Sequence, residues 1–230
     1  CGVIVLDELG IDPAARQAVE PAAWLDTGNG PAALARRARA GHKGRYGHVL
    51  VIGGDTGMSG AAHLAATAAA RAGAGLVSVA TRPAHAALLN LTRPELMCHG
   101  VDSAADLAGL LGRATVIAIG PGLGQGDWGR QLLAAALETR LPMVVDADAL
   151  NLLAAAPRQR EDWVLTPHPG EAARLLGCTH SAEIQHNRFA AARALQARYH
   201  GVIVLKGAGS LIQADAGPPA ALDCSQPQAV

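Results

Sequence analysis

From about residue 41 onward, short runs of wholly apolar residues take turns with longer alanine- and leucine-rich stretches in which apolar side chains recur at helical spacing. The apolar runs predict strands over His48–Ile52, Leu76–Ala80, Val116–Ile119, Met143–Val145, Val164–Leu165 and Val202–Leu205. The periodic stretches predict helices over Ser59–Ala72, Ala104–Leu111, Gly129–Thr139, Ala149–Ala154, Gly170–Leu176 and Ala182–Tyr199. A strand that is apolar at every position has no face for water, so it belongs in a sheet covered on both sides. Repeated strand–helix order then gives an α/β fold with a mainly parallel central sheet and helices on both faces. Ligands of such sheets gather beyond the carboxyl ends of the strands, so the residues just after each strand are the ones to read for chemistry.

Composition narrows the kind of ligand. The chain has 230 residues, 50% of them apolar, with a formal net charge of zero, which is enough for one substantial core. Without a basic tract, an anionic partner must be met by local geometry, which points away from nucleic acid and leaves a small anion open. No apolar run reaches membrane-spanning length. Cys1, Cys98, Cys178 and Cys224 are scattered, with neither a CxxC nor a His/Cys cluster at metal-ligand spacing. That usage fits a reduced, cytoplasmic protein better than a disulfide framework or a zinc site.

Before residue 41 the character differs: "CGVIVLDELG" reads as a short strand and turn, and "DTGNGPAALARRARAGHKGRYG" as a polar, basic connector. A domain boundary is therefore expected near Gly41. The sequence opens at Cys1 with neither a methionine nor a signal peptide, which predicts a fragment, a processed product or an incomplete record.

Five strand ends carry chemistry. After the first comes "GGDTGMSGAA", which is neither a Walker loop nor a dinucleotide GxGxxG. Two readings stand: an anion- or ring-binding floor using the N–H groups of Ser59 to Ala62, or a tight turn with Ser59 as N-cap. "IGPGLGQGDWG" crowds glycines around Pro121 and reads as a ligand-lining loop. In "VVDADALN", Asp148 is expected as a helix N-cap, while Asp146 either orients a phosphate-bound metal or holds the neighbouring loop. In "LTPHPGEAARLLG", His168 stands between two prolines that stiffen it for substrate contact. In "VIVLKGAGS", Lys206 emerges from an apolar strand, either to meet a phosphate or to snorkel from a hairpin turn, and the two are compatible.

Together, "HKGRYGHVLVIGGDTGMSGAAHLAATAAARAGAGLVSVAT", "RPELM", "GPGLG", "DADALN", "TPHPGEAARLLG" and "VIVLKGAGS" resemble the ADP/ATP-dependent NAD(P)H-hydrate dehydratases of the ribokinase-like superfamily, over about Gly41 to Ala214. The resemblance implies a hydro-lyase of metabolite repair that acts on the hydrated dinucleotides NADHX and NADPHX, with ADP or ATP as co-substrate and Mg2+. Carried over by motif, Ala61, Gly124 and His168 would contact the hydrated dinucleotide, and Lys206, Gly207, Ala208, Gly209 and Ser210 would line the AMP portion of the nucleotide. It also implies a homo-oligomer, tetrameric in intact members, and it names no metal ligand. A small-molecule kinase of the same superfamily and a non-catalytic nucleotide-binding module are the alternatives.

Two departures qualify the resemblance. Residues 1–40 look like the end of an epimerase-like domain plus linker, preceding a dehydratase domain at 41–230. Past the hairpin, the family continues into a "GNPGMATGGSGD"-like segment with an anion hole and a base aspartate, whereas here the chain reads "DAGPPAALDCSQPQAV". The catalytic base is thus unassigned. Each missing group costs about a hundredfold to ten-thousandfold, so the 230-residue chain is expected to be inactive. Equal ADP-dependent loss of NADHX by this chain and by one extended through such a segment would refute that expectation.

Overall fold

The computed structural model describes residues 23–25, 37, 39–214 and 220–222. The strand and turn expected at 1–10, most of the connector before residue 41, and the divergent tail apart from 220–222 lie outside these residues. Ten described strands form one sheet in the order β1-β10-β9-β8-β7-β6-β5-β2-β3-β4. These are β1 (Ala23–Leu25), β2 (His48–Ile52), β3 (Leu76–Thr81), β4 (Met97–Gly100), β5 (Val116–Ile119), β6 (Met143–Val145), β7 (Trp163–Leu165), β8 (Val202–Leu205), β9 (Leu211–Gln213) and β10 (Ala220–Leu222). Strands β2 to β8 are parallel, and β9 and β10 add an antiparallel edge beyond β8. Strand β1 pairs in parallel with β10, so part of the chain before Gly41 joins the sheet.

The helices are α1 (Ser59–Ala72), α2 (Pro83–Leu89), α3 (Ala104–Leu111), α4 (Asp127–Leu137), α5 (Ala147–Ala155), α6 (Pro169–Leu176), α7 (Ser181–His186) and α8 (Arg188–Tyr199). The fold is the expected mainly parallel α/β arrangement. Alternate residues of β2 serve opposite faces, as the pleat requires. Leu50 and Ile52 join the larger core with Leu107, Leu132, Leu150, Leu175 and Leu195, drawn from α3, α4, α5, α6 and α8. Val51 joins the smaller core with Ala62 and Ala66 of α1 and Leu89 of α2. Helix α1 buries only those two alanines, and small side chains let it lie close to the sheet. On this same face the register runs Val51, Ala118, Val144, Val164, Val202, and from Val144 onward these valines are only half-buried.

Four features differ from expectation. The single helix expected over Ala182–Tyr199 is two, broken at Asn187, whose side chain accepts a hydrogen bond from the Ala190 N–H and so starts α8 afresh. Strand β4 and helix α2 were not read from the sequence. Strand β4 is an edge strand of mixed character, Met97-Cys98-His99-Gly100, and α2 has seven residues, too few for a clear period. The N-cap of α1 is Met58, not Ser59, because the tight turn that donates the Met58 N–H to the Asp55 carbonyl (2.8 Å) brings the chain into helix one residue early.

The strand starts carry a titratable cross-link. His48 Nε2 lies 2.8 Å from the hydroxyl of buried Ser78, and its Nδ1 lies 3.1 Å from the Arg113 carbonyl. Burial lowers the pKa of His48 and of nearby His99 from 6.5, and the Arg113 charge works in the same direction. The folded state therefore binds fewer protons than the unfolded chain once the pH falls below 6.5. Stability should be level above neutrality and decline from about pH 6.5 downward. Denaturant melts between pH 8 and 5 should show this slope, and His48→Gln with His99→Gln should flatten it.

Candidate active site

Strand order reverses between β2 and β5: the chain leaves β2 for β3 on one side and later returns to β5 on the other. Beyond the carboxyl ends at such a reversal the loops diverge and leave a crevice. Here that space is framed by the loop after β2, residues 53–58, and the loop after β5, residues 120–126. The two loops are zipped together, the Gly54 N–H donating to the Pro121 carbonyl at 3.1 Å and the Asp55 N–H to the Gly122 carbonyl at 2.6 Å. Gly120 has φ 125, and a Cβ there would collide with the Asp146 carbonyl oxygen. Gly124 has φ 70, and a Cβ there would lie 2.6 Å from Asp55 Oδ2. Ala61, on the first turn of α1, is 3.2 Å from where a Gly122 Cβ would sit. Ala61 and Gly124 thus line one half of the site with Asp55.

The second half stands at the ends of β6, β7 and β8. Lys206 Nζ lies 2.6 Å from Asp146 Oδ1 and 4.0 Å from Glu171 Oε2. The Lys206 N–H donates to the Pro167 carbonyl at 2.8 Å, which ties the end of β8 to the loop bearing His168. His168 is the N-cap of α6: its Nδ1 accepts from the Gly170 N–H at 2.9 Å, and its own N–H donates to Glu171 Oε2 at 2.8 Å. With Nδ1 occupied as an acceptor, the other ring nitrogen, Nε2, lies 3.4 Å from Glu171 Oε1. Glu171 is only 5% exposed, so its carboxylate relies on these donors and on Lys206.

Asp146 and Asp148 join the halves. The N-cap of α5 is Asp146, not Asp148, and its side chain makes no capping bond; its Oδ1 goes to Lys206. Asp148 instead accepts from the Gly124 N–H at 2.9 Å and from the Gln125 side chain at 3.3 Å. Between them Ala147 adopts φ 47, a left-handed conformation costly for a residue with a Cβ, and the turn it makes sends the two carboxylates different ways.

Sequence reading missed three participants. Arg82, at the end of β3, bonds Asp55 Oδ1 through Nε at 2.7 Å and stacks over the Trp128 ring at 4.4 Å. Arg188, first residue of α8, donates to the carbonyls of Ala208 (2.9 Å) and Leu205 (3.2 Å), clamping the turn through Gly207. Glu171 was seen only as a helix start. The Ser/Thr/Asp-x-x-Glu logic of a capping box, with His168 as the cap, was the available signal for it; the arginines act across long sequence separations that no local pattern shows.

Glycine loops at a topological reversal, facing a lysine-bearing hairpin across parallel strand ends, define the ribokinase-like class. A ribokinase-like superfamily protein from Enterococcus faecalis V583 shares the fold with TM-score 0.73 and 29% identity, over 82% of this chain and 66% of that one. Residues 49–229 match the family described as NAD(P)H-hydrate dehydratase, and the chain belongs to that family. It is 57% identical over 214 residues to the bifunctional NAD(P)H-hydrate repair enzyme Nnr of Coxiella burnetii, covering 93% of this chain and 44% of that protein. It is 44% identical over 149 residues to the ADP-dependent (S)-NAD(P)H-hydrate dehydratase of Lactiplantibacillus plantarum, covering 63% of this chain and 54% of the relative. An ADP/ATP-dependent NAD(P)H-hydrate dehydratase from Bacillus subtilis, co-crystallized with ATP/Mg2+, has TM-score 0.68 at 30% identity, over 81% of this chain and 67% of that one. The chain spans less than half the length of the Coxiella relative.

Gly120→Ala should destabilise the fold by at least about 2 kcal/mol, through left-handed strain and a backbone clash. Gly109 lies in α3 with open space where its Cβ would go, so Gly109→Ala should stabilise by up to about 1 kcal/mol. Urea melts of the two variants should move in opposite directions.

Proposed function

We propose that this protein performs ADP-dependent dehydration of the S form of hydrated NADH or NADPH, releasing AMP and phosphate. The observation that carries the reading is the pairing of Lys206 with Asp146 at 2.6 Å beside a glycine-lined crevice, within a chain of the dehydratase family. The substrate ring lies over Ala61 and Gly124, with His168 beside it. The Lys206 ammonium meets the phosphates, while the turn Gly207 to Ser210, its carbonyls gathered by Arg188, backs the AMP portion. The ring hydroxyl oxygen takes the terminal phosphoryl group as the bond to AMP breaks. Phosphate then leaves with the C–O bond as a neighbouring C–H loses its proton, which restores the double bond.

Charge supports a cation in this chemistry. Two carboxylates, Asp146 and Glu171, surround the single ammonium of Lys206, a net negative balance at the end that is to receive phosphates. Among the described residues no group of three or more His, Cys, Asp or Glu could hold a metal. Two carboxylates nevertheless suit Mg2+, which keeps water and phosphate oxygens in its shell, and Asp146 and Glu171 are the residues that would hold it. When bound, the metal neutralises phosphate charge.

The unit that carries the site is taken as 41–230, with 1–40 as the residual end of an epimerase-like domain and linker. A match that starts at residue 49 and the bifunctional naming of the Coxiella relative support this division. A homo-oligomer and a cytoplasmic location belong to the same reading. None of the helices among the described residues is long and apolar enough to cross a membrane.

Incubation of a chain extended through the "GNPGMATGGSGD"-like segment with NADHX and ADP should yield reduced nicotinamide absorbance, AMP and free phosphate in equal amounts. Accumulation of a stable phosphorylated product would instead indicate a kinase. AMP should raise the melting temperature, and Lys206→Ala should abolish that rise; a rise without turnover in an extended chain would indicate a binding module.

A further inference from the structure

Asp55 carries a charge that the roles given above do not use. It follows the glycines at the end of β2, and its side chain is 20% exposed. Its Oδ1 is fully occupied, accepting from the Thr56 N–H at 2.8 Å and from Arg82 Nε at 2.7 Å. Arg82 is in turn held over Trp128, a ring 5% exposed and pinned through its Nε1–H to the Val101 carbonyl at 2.9 Å. This chain of contacts runs from α4 through β3 to β2 and fixes the direction of the carboxylate. Its Oδ2 is aimed at Gly124, 2.6 Å from where that residue's Cβ would be. No hydrogen bond found among the described residues uses Oδ2.

Burial works to raise the Asp55 pKa, but the hydrogen bonds from Arg82 and the Thr56 N–H outweigh it and hold the carboxyl below its ordinary range. The group is therefore ionised at any physiological pH, with its free lone pairs over the floor of the crevice. A carboxylate so placed repels phosphate and rewards an O–H or N–H donor. The two halves of the site thus have opposite tastes: Lys206 suits the polyphosphate, and Asp55 suits an uncharged head that carries donors. A hydrated nicotinamide has two kinds, the ring hydroxyl and the carboxamide NH2.

We propose that Asp55 contacts the substrate, its Oδ2 accepting a hydrogen bond from the uncharged ring end of the dinucleotide, with Arg82 and Trp128 as positioning residues that aim it. The proposal rests on the dehydratase reading. It also explains why a glycine is needed at 124, since any side chain there would stand between the carboxylate and the ring.

Calorimetric titration of the 230-residue protein with NADHX, NADH and AMP tests it without requiring turnover. Asp55→Asn keeps an oxygen for Arg82 and Thr56 but puts a donor where Oδ2 was. It should weaken NADHX binding about ten- to a hundredfold and leave AMP affinity unchanged. Loss for NADHX but not NADH marks the hydroxyl as the donor; equal loss for both marks the carboxamide. Arg82→Met should weaken NADHX less, by letting the carboxylate wander. Asp55→Ser gives a second measurement should the Asn variant fail to fold. Wild-type affinity for NADHX in the Asp55 variants, or a matching loss for AMP, overturns the proposal. A wild-type protein that binds AMP but no dinucleotide overturns the dehydratase reading and this proposal with it.

Discussion

The site exists because two backbones approach each other with no side chain between them. At the reversal of strand order, the loop after β2 lies on the loop after β5 through the Gly54–Pro121 and Asp55–Gly122 hydrogen bonds, and Gly120 lies against the Asp146 carbonyl. Three strand ends are thereby fixed relative to one another before any side chain contributes. A parallel sheet supplies this scaffold cheaply, since its strands end on one side and its helices carry the chain back. The candidate site residues described above are attached to that edge, while the opposite edge holds the half-buried His48–Ser78 contact.

Across the crevice the side chains are shared rather than dedicated. Lys206 is paired with Asp146 and near Glu171, and Glu171 also caps the helix that carries His168. On the proposed reading, a phosphate arriving at Lys206 competes with a carboxylate already in place, and a surface ion pair of this partial exposure is worth little enough to be exchanged. The buried Glu171 is different, because its donors cannot be replaced by water. One ammonium can thus change partners while the loop beneath it stays set.

Much of this fold was legible in the sequence. The strands at 48–52, 116–119, 143–145 and 202–205 and the helices at 59–72 and 104–111 have the bounds their patterns predict, since wholly apolar runs and uninterrupted helical periods leave little choice. The edge strand at 97–100 lacked such a run because one side of it faces no neighbour. The break at Asn187 turned on a single hydrogen bond, and the place of Asp146 at the start of α5 on the turn at Ala147, neither of which composition reveals. Of the site, the glycines, Lys206 and His168 stood out because their types are unusual at strand ends. Arg82 and Arg188 did not, since an arginine at a helix or strand boundary is ordinary until its partner 27 or 20 residues away is known.

Ala147 joins these themes at one residue. Its left-handed backbone costs of order 1 kcal/mol that a glycine would recover. Yet the bend it holds is what lets one short segment serve the lysine with Asp146 and the glycine loop with Asp148. A more relaxed residue there would give a sturdier protein and a slacker angle between two carboxylates. At this position thermal robustness and the sharpness of the site are opposed, and the sequence has kept the stiffer, less comfortable choice.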